Sequence, residues 1–354
     1  MDRKETRESG IELLRILAMM GVVILHYNSS GMGKAFSLVQ NNSVNQFCLY
    51  LFESLCICGV NIFILISGYF LSTTQKRSFC KIVELFLQVI LFKAAFYFMS
   101  VVIGINSLTL KDFLYNILPN NYYVILYAAL YAISPYVNIV IQKLQKEEMI
   151  RFTVLCLIVF SGWSFGVDLL ENVFAVGLTG LSTIGIYGSQ EGYTIVNFLV
   201  LYLVGACLKK FEDNKVKNVV MIPCTIGLLA VVFICSIGEH LLGLEKCVTW
   251  NYNNPLLILL SVGWFLIFKN MKIKSKVINE LAKASFTCFL FHGAFLQFIV
   301  NEKIVNGSLI ILIFHMILTS VILYLISYVV FKIYSLCTGW MLWALKPILD
   351  RVPM

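Results

Sequence analysis

The sequence predicts an all-α membrane protein, a polytopic bundle of about ten transmembrane helices with both termini cytoplasmic. Composition, recurring long apolar runs and lopsided placement of the basic residues carry that prediction. Of 354 residues, 59% are hydrophobic and only 13% charged, and mean hydropathy is +0.85. Ordinary soluble domains are about 25% charged and 45–50% apolar, and they need polar cover over much of their surface. The same figures exclude disordered, collagenous and secreted disulfide-scaffold classes.

A crossing helix needs about 20 mostly apolar residues. Ten stretches qualify: 11–29, 48–72, 79–104, 121–142, 152–168, 192–208, 218–238, 254–269, 284–301 and 307–332. Glu12 and Arg15 interrupt the first, and no small-residue cleavage site follows, so it is not a signal peptide. The connections alternate in charge. Counting both tails, one set holds twenty-one Lys and Arg, the other only Lys34, Lys111, Lys246 and Lys303. By the positive-inside rule the rich side is cytoplasmic. The net charge of +8 therefore records orientation rather than nucleic-acid binding. Segment 169–191, broken by Gly177, Gly180, Gly185 and Gly188, reads as an outer re-entrant loop or a long loop. No soluble domain is appended, and residues 1–354 form one domain. Most of the eleven cysteines sit in apolar runs as small hydrophobes. Cys56 and Cys58 have the wrong spacing for zinc, so no metal is expected.

A charged side chain at the bilayer centre costs about 2.5–3.5 kcal/mol on insertion scales and marks a function or a partner. Such groups concentrate in the first span, RESGIELLRILAMMGVVILHY. Arg15 and His26, eleven residues apart, project from one helix face within about 20°, roughly 16 Å apart along the axis. A fixed cation on the inner side and a titratable base towards the outer side suit transfer of a group from a cytoplasmic anionic donor to an acceptor across the membrane. Arginine binds phosphate or polarises a carbonyl, and histidine takes a proton from a hydroxyl. The plainer alternative has Arg15 snorkelling or paired with Glu12, and His26 making a bundle hydrogen bond. Glu53, at about the depth of His26, either orients that imidazole or is a rim carboxylate. Lys93, mid-span, either reaches donor phosphates or pairs with another helix. His292 either lines the cavity or is structural. Tyr123, Tyr127 and Tyr131 form a stripe on the fourth span, for sugar stacking or for packing, and Ser134-Pro135 kinks that helix.

These residues resemble the integral-membrane acyltransferase family 3, which includes bacterial surface-polysaccharide O-acetyltransferases. Arg15, ten intervening residues and His26 resemble its Arg/Lys-x10-His signature. GVNIFILISGYFL (59–71), YYVILYAALYAISPYVNIVIQKL (122–144), NFLVLYLVGACLKK (197–210) and SFTCFLFH (285–292) resemble later motifs, in order. Ten spans is the family's usual count. The resemblance implies acetyl-CoA or another acyl-CoA as donor and a carbohydrate hydroxyl as acceptor, on an undecaprenyl-linked unit or growing surface glycan. It places the protein in the bacterial plasma membrane, makes His26 and Arg15 essential, and needs no metal. Arg15, Lys76, Arg77, Lys81 and Lys93 are the donor-binding candidates. Ser67, Tyr69, Tyr123, Tyr127 and His292 are the acceptor candidates, with Glu53 beside His26. The family often carries a paired-arginine loop motif where this chain has only Lys76, Arg77 and Lys81. No esterase or racemase domain follows. A transporter or flippase, or a non-catalytic partner in glycan synthesis, are the competing readings.

Overall fold

The computed structural model describes residues 8–349 apart from 30, 175–176, 178–189, 214–215 and 245. Arg3, Lys4, Arg7, Lys215 and Arg351 of the charge count, and most of the glycine-broken 169–191 segment, lie outside the described residues.

Every regular element described is helical. In order they are α1 (Ser9–Asn28), α2 (Ala35–Leu38), α3 (Val44–Cys56), α4 (Gly59–Leu71), α5 (Phe79–Val102), α6 (Leu110–Ile117), α7 (Tyr122–Lys143), α8 (Lys146–Cys156), α9 (Trp163–Phe174), α10 (Ile195–Lys210), α11 (Asn218–Leu241), α12 (Pro255–Lys269), α13 (Lys276–Leu281), α14 (Ser285–Phe291), α15 (Gly293–Ile299), α16 (Glu302–Val305) and α17 (Leu309–Leu349). Among the described residues, seven stretches are long and apolar enough to cross a membrane: 9–28, 44–71, 79–102, 122–143, 146–174, 218–241 and 309–341. The other three expected spans fall on shorter helices. These are α10, α12 and the pair α14–α15, which divides at His292. The last expected span, 307–332, continues as helix to Leu349.

Local chemistry sets many of the ends. Side-chain oxygens of Ser43, Thr109, Asn121, Thr194, Asn254 and Ser275 accept from the first-turn amides of the helices they open. Pro135 lies inside α7, which runs on as one helix through it. A proline has no N–H for the carbonyl four residues back, and the Ser134 hydroxyl donates to that Tyr131 carbonyl instead, at 2.8 Å.

The hydrophobic sorting is that of a lipid-solvated bundle. In α1, 72% of the apolar window is buried, against 17% in α11, so α1 is the central helix. Ile234 on α11 and Ile310 and Phe314 on α17 face outwards, an arrangement that water would oppose and lipid permits. Helices α4 and α10 pack backbone to backbone. A Cβ on Gly68 would stand 2.2 Å from the Tyr202 carbonyl oxygen, and one on Gly205 the same distance from that of Leu65. Close approach through small residues is how helices associate without a hydrophobic drive.

One end of the bundle is basic. There Lys269 at the end of α12 bonds Glu8 and Glu212 at 2.6 and 2.9 Å. Lys332 bonds Glu280 on α13, and Lys210 donates to the Ile141 and Leu144 carbonyls at the end of α7. At the other end, Asn45 binds the Val305 and Gly307 carbonyls, and Asn251 donates to Asp168.

Gly68→Ala should destabilise the detergent-solubilised protein by about 1–3 kcal/mol through overpacking, seen as a lowered melting midpoint. Gly227→Ala, whose Cβ would meet nothing, should hold or raise that midpoint because alanine is the better helix former.

Candidate active site

A cavity of about 730 Å³ runs from the basic end beside α1. Glu8 lines it from just before α1, Glu12, Arg15, Met19 and Val22 from α1, Phe63, Ser67 and Phe70 from α4, Tyr123 and Tyr127 from α7, and Ser285, Phe286 and Phe289 from α14. The positions on α1 recur every three or four residues, which keeps them on one face. Arg15 holds an unusual position. Its nearest carboxylate oxygen, on Glu12, is 3.5 Å away, and its Nε is buried with no hydrogen-bond partner. Its side chain therefore lines the cavity with donor capacity that the chain does not take up. Lys81 and Lys209 also line the cavity.

Beyond Val22 and Phe289, one turn further along α1, lie two imidazoles in contact. His26 Nδ1 is 2.9 Å from the Val22 carbonyl oxygen and 3.0 Å from His292 Nε2. His292 Nδ1 is 2.8 Å from the Cys288 carbonyl oxygen. A carbonyl can only accept, so in the neutral pair each Nδ1 carries the proton. His292 Nε2 then accepts from His26, and His26 Nε2 keeps its lone pair. His292 is 2% exposed. Its ring lies beside Phe289, centroids 6.2 Å apart, so it supports His26 rather than lining the cavity.

Other expected residues go elsewhere. Glu53 Oε2 accepts from Asn28 Nδ2 at 2.8 Å, so the orienting partner of His26 is His292 and not this carboxylate. Tyr69, expected against the acceptor, is 1% exposed. Its ring packs on Phe265 and under the ammonium groups of Lys209 and Lys269. Arg77 is spent on the chain itself. It donates to Ser134 Oγ, to the Leu71, Thr74 and Lys76 carbonyls and to Thr74 Oγ1. Lys76 is exposed and outside the cavity wall. Lys93 donates to the Leu118 carbonyl and Asn120 Oδ1, the pairing role rather than a place in the cavity. Ser67, Tyr123 and Tyr127 line the cavity as a group. The two tyrosine rings stack, and Ser67 Oγ is 3.5 Å from Tyr127 Oη.

Sequence reasoning missed Glu8 and Lys209 as wall residues, and missed Asn28. Asn28 had a signal, being an amide two residues after a histidine in an apolar helix. Lys209 had none beyond its charge. At the cavity mouth Lys209 and Lys269 both bond Glu212. Burial opposes its charge, but these hydrogen bonds hold the Glu212 carboxyl down to about 2.

Residues 8–333, nearly the whole chain, match the acyltransferase-domain model of the acyltransferase 3 family, and the chain belongs to that family. Membership makes it a membrane acyltransferase. Neither a curated protein nor a solved structure matches.

A depressed carboxyl pKa stabilises the fold above its unfolded value and is lost as pH falls through the folded one. The melting midpoint of Glu212→Gln should therefore lie below wild type at pH 7. The gap should close as pH drops from about 4.5 towards about 2.

Proposed function

We propose that this protein moves an acetyl group from cytoplasmic acetyl-CoA to a hydroxyl of a cell-surface polysaccharide or its lipid-linked precursor. The observation that carries this reading is the shared face of α1: an under-bonded guanidinium in the cavity and, one turn past its last wall residue, an imidazole nitrogen ready to accept a proton. The chain crosses the inner membrane of a bacterium ten times in this reading, with α10, α12 and α14–α15 as the short crossings. Both termini and the basic end face the cytoplasm, where the positive-inside rule puts the lysines.

The donor enters at the basic end. Its pantetheine arm is a chain of about thirteen atoms, comparable to a little over four peptide residues, and spans about 15 Å when extended. That matches the roughly 16 Å rise from Arg15 to His26. Phosphates at the level of Arg15 and Lys81 would thus leave the thioester near the imidazole pair. The acceptor hydroxyl comes from the other end. His26 Nε2 takes its proton as the oxygen attacks the thioester carbon. The C–S bond then breaks, His26 gives that proton to the departing sulfur, and CoA leaves as its thiol. While His26 is charged, its Nδ1–H donates to His292 Nε2, so a neutral ring serves where a triad uses a carboxylate. Ser67, Tyr123 and Tyr127 shape the wall past which the arm runs. Family membership sets this reading above transport.

Purified protein should turn over radiolabelled acetyl-CoA with a carbohydrate acceptor, and the glycan should gain the mass of one acetyl group. His26→Ala and Arg15→Ala should each lower kcat/KM by at least about 10²-fold with the protein still folded in the membrane. Normal glycan acetylation by the His26 variant refutes the assignment. His292→Phe should lower kcat by about tenfold or more and leave the KM for acetyl-CoA unchanged, because it acts through His26. A change confined to KM would mean that His292 contacts the donor.

A further inference from the structure

A second concavity, of about 550 Å³, opens at the basic end between the last turn of α12 and α13. It meets the main cavity at Glu8, which lines both. One wall is apolar, from Phe268, Met271 and Ile273, and the other carries Lys269, Lys274 and Lys276. Among the described residues, Lys269 is neutralised by Glu8 and Glu212, whereas Lys274 and Lys276 are in no ion pair. The volume is that of a small-molecule site, and its lining favours an anion that also carries an apolar part.

We propose that this groove, lined by Lys274 and Lys276, binds the adenosine 3′,5′-bisphosphate end of the acyl-CoA donor. The proposal rests on acyl-CoA being the donor. The arm of that molecule occupies the main cavity, so its nucleotide must lie at or outside the mouth, and the groove adjoins the mouth. The purine lies along the half-buried Met271 and Ile273 side chains, and the two lysines answer the phosphates as mobile point charges. The 76–81 loop is a poorer nucleotide site because its one arginine is already bonded to the chain through Nε, Nη1 and Nη2. Glu8, at the junction, keeps its charge masked by Lys269 and does not repel the passing phosphates.

The test is calorimetric titration of the full-length protein with coenzyme A and with adenosine 3′,5′-bisphosphate, in detergent free of anionic lipid. Lys274→Glu/Lys276→Glu should weaken both by tenfold or more. Lys272→Glu, an exposed neighbour outside the groove, should leave both unchanged, and Lys274→Arg/Lys276→Arg should retain binding. The arginine pair also shows that the positions tolerate change without unfolding. Equal affinities in wild type and the Glu pair overturn the groove but leave the acyltransferase reading intact. Failure of wild type to bind coenzyme A at all removes the donor and the groove together. Anionic phosphate could also come from lipid headgroups. If the Glu pair binds bisphosphate normally but loses the thermal stabilisation that phosphatidylglycerol nanodiscs give wild type, the lysines serve the bilayer and the proposal fails.

Discussion

The structure depends on a constraint that lipid imposes and water would not: a polar group carried into the bundle must be answered inside it. Helix α1 sits at the centre and carries Glu12, Arg15, His26 and Asn28. Surrounding helices supply the answers. Asn28 takes Glu53 from α3, His26 takes His292 from the junction of α14 and α15, and Glu8, just before α1, takes Lys269 from α12. Each pairing fixes a helix against the central one. Between pairings the wall is left open, and the opening is the cavity. Close contact of α4 and α10 at Gly68 and Gly205 sets the position of the wall carrying Ser67. A methyl group there would push α4 off α10 and disturb the wall.

Much of this was legible in the sequence, for identifiable reasons. The first span could be read because helical period alone places Arg15 and His26 on one face, and no tertiary information is needed for that. The long apolar runs could be read because lipid tolerates outward-facing Ile and Phe. The short apolar helices were harder. Helix α10 and α12 are 16 and 15 residues long, below the length at which composition alone marks a crossing. The partner of His26 was not legible at all. Glu53 and His292 are both ionisable and both lie within expected spans, and only packing decides which reaches the ring. Asn28 intercepts Glu53 first. Tyr69 failed as an acceptor contact for a similar reason. A tyrosine next to a glycine at a helix–helix seam is packed by whatever closes the seam, here Phe265 and two lysines.

The imidazole pair shows how a site inside a low-dielectric bundle handles charge without a buried anion. A carboxylate beside His26 would be costly to bury before any proton moves. Two neutral rings, each held by its own helix carbonyl, carry no net charge at rest. They still offer a proton acceptor on one side and a hydrogen-bond acceptor behind it. In the proposed reaction the charge is present only while the hydroxyl proton is on His26.

The basic residues deserve the same physical sorting. Counting them gives orientation, but a cation's use depends on what already bonds it. Arg77, Lys93 and Lys210 bond to carbonyls and side chains of their own chain, so each acts as a staple between segments that the lipid would not hold together. Lys209 and Lys269 share Glu212 and act as a bracket at the mouth. Arg15 and Lys81 face the cavity, Arg15 with only a distant carboxylate and Lys81 with no ion pair among the described residues. A charge whose bonds are all taken by the fold gains little from a ligand, whereas one left short of partners gains a full set. By that criterion Arg15 and Lys81, both in the cavity wall, keep bonding capacity in reserve, whereas Lys209 and Lys269 at the mouth have theirs taken up by Glu8 and Glu212. This supports a single anionic ligand, extended along α1, as what the reserve is for.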